Sequence, residues 1–251
     1  MTLYMIGIGL NNEKDITVKG LELVRKADII YLENYTSKLS TSIKNLEKVY
    51  KKSVILANRD LVEKNADEIL DKAKNKKVAF LIIGDVFSAT THTDLMLRAK
   101  EKKIKVEVIN NASILTAVGI TGLELYKFGK TTSMPYFEES FKAETPYDVI
   151  KDNQKLGLHT LILLDIKADE NRFMTVNKAL AQLLEIEKKR KEKVFTESTK
   201  VVGCARLGAN AKIKYGTVKE MIKENFGKPL HCLIVPGKLH FIEEEALKQY
   251  S

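Results

Sequence analysis

The stretch FLIIGDVFSATTHTDL, residues 80–95, decides how this chain is read. Four apolar residues run to Gly84, and the acid Asp85 follows at once. Ser88, Thr90, Thr91 and His92 come next, before a helical pattern resumes. A short apolar run that ends in glycine reads as a buried strand of a parallel sheet. Open parallel sheets bind ligands beyond the carboxyl ends of their strands. Glycine lets backbone approach a ligand closely. An acid behind it can accept hydrogen bonds from ribose hydroxyls or an ammonium group, and the next helix brings free N–H groups. The same residues also fit a tight strand-to-helix turn with Thr or His near an N-cap. Local features leave both readings open.

Outward from this loop the first half alternates. Strand patterns cover 3–9, 29–32, 54–56, 78–83 and 106–109, with helical patterns between them. Val18, Leu21, Val24 and Ala27 repeat at near-helical spacing, and Asp15 can cap their helix. Leu61, Ala66, Ile69, Leu70 and Ala73 form a second stripe. Such alternation implies a parallel sheet with crossover helices. After Asn110 the texture changes, and Gly119 and Gly122 suggest close packing or a helix end. Later strands are expected at 131–134, 160–166, 201–206 and 232–235, with a hairpin in ARLGANAKIKYG (205–216). The expected fold class is α/β. It comprises an N-terminal domain with a parallel sheet (1–111) and a C-terminal domain with a mixed sheet (112–251), with a cleft between them.

The 251 residues are 44% hydrophobic and 30% charged, enough to bury a core and too apolar for disorder. Net charge is +9. The basic run EKKRKEK (187–193) reads as a solvated helix end, or as attraction to an acidic partner. No basic cluster alternates with aromatics, so direct nucleic-acid binding is not expected. Cys204 and Cys232 each lie in apolar segments, with no Cys-x-x-Cys. Buried reduced thiols fit a cytoplasmic protein. No leader pattern opens the chain, and no apolar run approaches the ~20 residues of a membrane helix.

Gly7-x-Gly9 after the first strand, with Glu33 ending the second, also invites a dinucleotide reading. The third glycine of that motif is missing, and Asn11-Asn12-Glu13 replaces the tight helix entry. His92, His159, His231 and His240 show no metal-ligand spacing, and each reads as structural. No metal site is expected. No Gly-x-Ser-x-Gly elbow and no P-loop occurs.

Five blocks taken together carry a resemblance: LYMIGIGLNNEKDITVKGLELVRKAD, AFLIIGDVFSATTHTDL, NNASILTAVGITGLELYKFGKT, GLHTLILLDIKA and LIVPGKLH. In this order, across essentially the whole chain, they resemble the diphthine synthases, tetrapyrrole-methylase-like methyltransferases (class III). The Ala-Thr-Thr-His and Asp-Ile-Thr-Val-Lys-Gly strings separate that family from corrin and porphyrin methylases of the same fold.

The resemblance implies S-adenosyl-L-methionine as donor and S-adenosyl-L-homocysteine as product. Donor contacts would fall on Leu10, Asp85, Ser88, Ser113, Ile114, Leu164, Leu207 and His231. The acceptor it implies is a modified histidine of translation elongation factor 2, whose 3-amino-3-carboxypropyl arm is trimethylated on nitrogen to diphthine, in diphthamide biosynthesis. A homodimer is also a family expectation. Val86 stands where the family usually has proline, and Leu207 where alanine is common. The first change loosens the loop, and the second alters pocket shape. No catalytic base is assigned, and Asp85, Glu138 and Asp165 are not chosen. The chain lacks the segment that eukaryotic relatives carry after the Leu-Leu-Asp-Ile-Lys strand, so it resembles the archaeal branch. A tetrapyrrole methyltransferase, a non-catalytic nucleotide-binding module and a dehydrogenase remain alternatives.

Overall fold

The computed structural model describes residues 1–139, 141–168 and 170–251. They form two compact units, one of Met1–Ala117 with Lys167–Glu170, the other of Val118–Ile166 with Asn171–Ser251.

In the first unit the elements follow as β1 (Thr2–Gly7), α1 (Val18–Lys26), β2 (Ile29–Glu33), α2 (Ile43–Tyr50), β3 (Ile55–Ala57), α3 (Asp67–Asn75), β4 (Lys77–Ile82), α4 (Thr93–Glu101), β5 (Lys105–Ile109) and the single turn α5 (Ile114–Ala117). The strands are parallel, in the order β3-β2-β4-β1-β5. Side chains alternate between two faces, as strand geometry dictates. Leu3, Met5, Val78, Phe80 and Ile82 pack with Ile69, Leu70 and Ala73 of α3 and with Leu95 and Ala99 of α4. Ile6, Ala79 and Leu81 pack with Val24 of α1 and with Leu46 and Tyr50 of α2. The neighbours β1 and β4 therefore send their connections to opposite faces. That is the switch point at which open sheets bind ligands.

Two expectations need correction here. Val18 lies outside the buried stripe and is 77% exposed. Asp15 does not cap α1; Thr17 does, its hydroxyl accepting from the Gly20 amide at 3.0 Å. Asp15 instead turns back and accepts the amides of Leu10 (3.2 Å) and Asn11 (2.7 Å). The first compact unit runs to Ala117. Asn111 is stitched into the first unit by its side chain, and the turn that follows closes on the Ser113 carbonyl through the Ala117 amide at 2.8 Å.

The second unit contains β6 (Thr132–Met134), α6 (Thr145–Lys155), β7 (Thr160–Leu164), the short strands β8 (Ile166–Lys167) and β9 (Arg172–Phe173), α7 (Val176–Arg190), β10 (Lys200–Ala205), β11 (Lys212–Thr217), α8 (Val218–Met221), β12 (His231–Val235) and α9 (Phe241–Lys248). Residue 167 of β8 groups with the first unit. The main sheet runs β11-β10-β12-β7-β6 and is mixed, since only β6 and β7 are parallel. The hairpin β10–β11 places Ala205 opposite Lys212. Val176, Ala179, Leu180, Leu183 and Ile186 of α7 bury one stripe against Ile162, Val201 and Leu233. Cys204 and Cys232 sit directly opposite each other, buried and unlinked.

Two cations of the basic run at the end of α7 are paired: Lys189 with Glu144 at 2.6 Å, and Arg190. Arg190 pairs with Asp148 (2.6 Å) and Glu192 (2.9 Å) and lies over the Tyr147 ring at 4.6 Å. Glu187 accepts the amides of Lys193, Val194 and Phe195. This stretch closes the helix, while Lys188, Lys191 and Lys193 remain exposed.

Glu243, at the start of α9, is fully buried among donors. It takes the amides of Glu124 (3.0 Å) and His240 (2.8 Å), the Lys127 ammonium, and Nε2 of His159 at 2.9 Å. Nδ1 of His159 accepts from the Gly237 amide at 2.9 Å, which fixes the proton on Nε2. Among the described residues, no helix is long and apolar enough to cross a membrane.

Candidate functional site

The loops after β1 and β4 meet through glycine. Gly9 and Gly84 form an isolated bridge, with Gly84 N–H donating to the Gly9 carbonyl at 2.8 Å. Their φ angles are +79° and +88°, a region that L side chains rarely enter. A Cβ on Gly7 would stand 2.6 Å from the Gly84 carbonyl. The strand ends can close together only because these side chains are missing.

Asp85 lies just beyond, almost buried. One carboxylate oxygen accepts from the Phe87 amide and the Ser88 hydroxyl, both at 3.1 Å. The other accepts from the Asn111 amide at 3.0 Å, bringing in the end of β5. Burial opposes ionisation, but the Asn111 and Phe87 amides and the Ser88 hydroxyl outweigh it and hold the carboxyl below the ordinary aspartate range. Asp85 is therefore a fixed anion that shapes its own loop. This suits an organiser of a ligand loop, since the Phe87, Ser88 and Asn111 donors already engage both of its oxygens.

Asn111 completes the clamp. Its side-chain amide donates to the carbonyls of Gly7 and Asp15, each at 3.0 Å, and its oxygen accepts from the Ala112 amide. One residue thus ties the ends of β1 and β5 to the entrance of α1. Sequence reasoning passed over it. The doubled Asn110-Asn111 directly after a strand was the available signal.

Leu10 and Ser88 stand half-buried in the β1 and β4 loops. Ser113 and Ile114 begin α5, where the buried Ser113 hydroxyl accepts from the Leu115 amide at 3.2 Å. Leu10, Asp85, Ser88, Ser113 and Ile114 therefore all lie on the connections leaving the adjacent strands β4, β1 and β5. In the second unit the antiparallel register does the same. Ala205 pairs with His231 and Cys232 with Leu163, so Leu164, Leu207 and His231 fall at one end of the β10-β12-β7 ribbon.

His231 is held at both nitrogens. Nδ1 accepts from the Val176 amide at 3.4 Å, and Nε2 lies 3.1 Å from the Lys228 carbonyl, to which it donates. Burial depresses its pKa against the opposing pull of backbone carbonyls, keeping the ring neutral. With both nitrogens engaged, it has no proton to exchange in chemistry. His231→Ala is expected to retain most activity, within about tenfold. Its cost should fall on stability, about 1–3 kcal/mol for an amide left without its acceptor. Steady-state rates beside denaturant unfolding measure both. A loss of several hundred-fold with donor binding intact would make the ring catalytic.

The pattern of the tetrapyrrole (corrin/porphyrin) methylases matches residues 2–222. A diphthine synthase of Methanococcus maripaludis is 50% identical over 248 residues, 98% of this chain and 97% of that one. The chain belongs to the tetrapyrrole methylase family, among its diphthine synthases. A probable diphthine methyl ester synthase of Arabidopsis thaliana is 47% identical over 271 residues, covering 99% and 98% of the two chains. The crystal structure of a putative diphthine synthase from Entamoeba histolytica superposes with a TM-score of 0.93 at 44% identity, covering 99% of this chain and 98% of that one. This methylase is a methyltransferase of the α/β class that its two sheets display.

Proposed function

We propose that this methyltransferase uses S-adenosylmethionine to trimethylate the amino group of the 3-amino-3-carboxypropyl arm on the modified histidine of elongation factor 2, yielding diphthine. The near-complete alignment with diphthine synthases at about half identity carries this reading. We assign the donor contacts to Leu10, Asp85, Ser88, Ser113, Ile114, Leu164, Leu207 and His231. The strand ends fit such a donor. Closely apposed glycine backbone lies beside an organised anion, with the apolar side chains of Leu10 and Ile114 half-buried on the same connections. A sulfonium methyl is already activated. The protein must hold a neutral amine in line behind it, and orientation of this kind can supply ~7–11 kcal/mol. The amine loses a proton before each attack, and a nearby positive sulfonium favours that loss.

Three methyl groups and no ester are the expected product. The M. maripaludis alignment spans 248 residues, close to this chain's own length. The Arabidopsis alignment spans 271 against 251 here, so at least 20 positions of the ester synthase have no counterpart in this chain. An ester requires a second pose of the arm, with a carboxylate oxygen where nitrogen stood. The test is methyl-labelled donor incubated with elongation factor 2 carrying the bare arm and, in parallel, with a tetrapyrrole precursor. Label should enter the protein and resist mild base. Label on the tetrapyrrole would place the enzyme with the corrin and porphyrin methylases. Base-labile label would place it with the ester synthases.

The basic net charge suits docking to a large partner that carries acidic or RNA surface. A cytoplasmic homodimer is part of this reading. Phe241 and Ile242 are 70% and 56% exposed at the start of α9. Ile120 is 60% exposed, and its carbonyl accepts from the Tyr250 hydroxyl beyond the end of α9 at 2.8 Å. Exposed apolar surface of this kind marks an interaction site. Light scattering should give a dimer, shifted towards monomer by Phe241→Glu. A monomeric wild-type protein at micromolar concentration would remove this part.

A further inference from the structure

Four side chains near the carboxyl ends of β2 and β4, those of Glu33, Asn34, Tyr35 and His92, carry buried polar atoms without a hydrogen-bond partner. Glu33 ends β2 and is fully buried. Its Oε1 accepts the amides of Tyr35 (2.9 Å) and Thr36, but Oε2 has no hydrogen-bond partner. The Tyr35 hydroxyl has none, nor has either ring nitrogen of His92, which is 1% exposed. His92 occupies the N-cap position of α4 without capping it. Its ring stands edge-on to Phe80 at 5.4 Å and to Tyr35 at 6.5 Å. The Val86 carbonyl and the Thr91 hydroxyl influence His92 and Tyr35 electrostatically, but neither forms a hydrogen bond of ordinary geometry.

Each such buried atom costs about 1–3 kcal/mol if nothing meets it. A structural role does not account for them, because phenylalanine could fill both ring positions without that cost. The unmet set is rich in acceptors: a carboxylate oxygen, the Asn34 amide oxygen, a phenolic oxygen and one imidazole nitrogen. An alkylammonium is its complement, with three donors and a charge to match Glu33. His92 shares its loop with Asp85, the organiser of the proposed donor site.

We propose that Glu33, Tyr35 and His92 form the subsite for the acceptor's primary amine. The inference rests on the methyltransferase reading above. In it, the ammonium of the arm docks against the Glu33 carboxylate and passes one proton to this cluster. The freed nitrogen lone pair then attacks the sulfonium methyl. A C–N bond forms as the C–S bond breaks, and its electron pair leaves with the neutral thioether. Three rounds release three protons. Burial disfavours the charged forms of both candidate acceptors, raising the carboxyl of Glu33 and lowering His92 to about 4. The other charged groups facing the cluster are Arg59, at 5.4 Å over the Tyr35 ring, and Glu63.

The test compares wild type, Glu33→Gln, His92→Phe and Tyr35→Phe by thermal melting, donor calorimetry and methyl transfer to elongation factor 2 across pH. Tyr35→Phe removes only an unmet hydroxyl, so it should melt at or above the wild-type temperature; His92→Phe also enlarges a buried ring and should melt close to wild type. Donor affinity should stay within threefold. Transfer should fall about a hundred-fold or more in Glu33→Gln and His92→Phe, in the range of a lost proton acceptor. In Tyr35→Phe it should fall through a raised KM for the acceptor. Wild-type transfer in these stable variants overturns the subsite. So does marked destabilisation by both phenylalanine substitutions, which would reveal a structural role. If wild type itself transfers nothing to the arm, the methyltransferase assignment fails first and the subsite with it.

Discussion

Asp85→Ala is expected to weaken S-adenosylmethionine binding by about 1.5–3 kcal/mol, roughly ten- to a hundred-and-fifty-fold. The route is the loop's own geometry. The carboxylate holds the Phe87 amide, the Ser88 hydroxyl and the Asn111 amide, so its loss frees both the β4 loop and the end of β5. Asp85→Asn should also weaken binding, because its NH2 group would confront either the Phe87 amide and Ser88 hydroxyl or the Asn111 amide. Calorimetry with circular dichroism as the folding control measures this. Wild-type affinity in a folded variant would contradict the role assigned to Asp85.

The largest stability loss is expected at Glu243. Removing one partner of a buried charge network typically costs about 3–5 kcal/mol. Here Glu243→Gln leaves the Lys127 ammonium without its counter-charge and turns an NH2 group towards one of two donor pairs, the Glu124 amide with the His159 Nε2 proton or the His240 amide with the Lys127 ammonium. Burial works against the charge of Glu243. The His240 amide, the Lys127 ammonium and the Glu124 amide overcome it and bring its pKa down to about 2. The folded value lies below the unfolded value of about 4.3. Its contribution, about 3 kcal/mol, is therefore complete above pH 4.3 and fades as pH falls towards 2. Denaturant unfolding of wild type should lose stability through that window. The variant should show a flatter profile there, and an unchanged one would contradict this account of the network.

Much of the fold was legible because its signals are local. Strand–helix alternation in the first half and the apolar runs near 160, 201 and 232 each correspond to an observed strand. The Gly84-Asp85 exit was legible for the same reason. What sequence could not show were partners set by tertiary approach. Asp15 has the residue type and position of a helix cap, yet it serves the amides of Leu10 and Asn11, while Thr17 caps the helix. Asn111 carries no motif, and its importance comes from three chain segments converging on it. His92 read as structural, and only the absence of any partner for its two nitrogens sets it apart. The positions in the second unit, Leu164, Leu207 and His231, were reached through family resemblance. The register that brings them to one end of a sheet is antiparallel and invisible in spacing.

The central claim is that this enzyme methylates the amine of the elongation factor 2 arm. Intact-mass spectrometry of that protein, bearing the unmethylated arm, before and after incubation with the enzyme and S-adenosylmethionine, tests it most directly. The account predicts a gain of three methyl groups, confined to the modified histidine and stable to mild base. An unchanged mass with active enzyme and intact donor would contradict it.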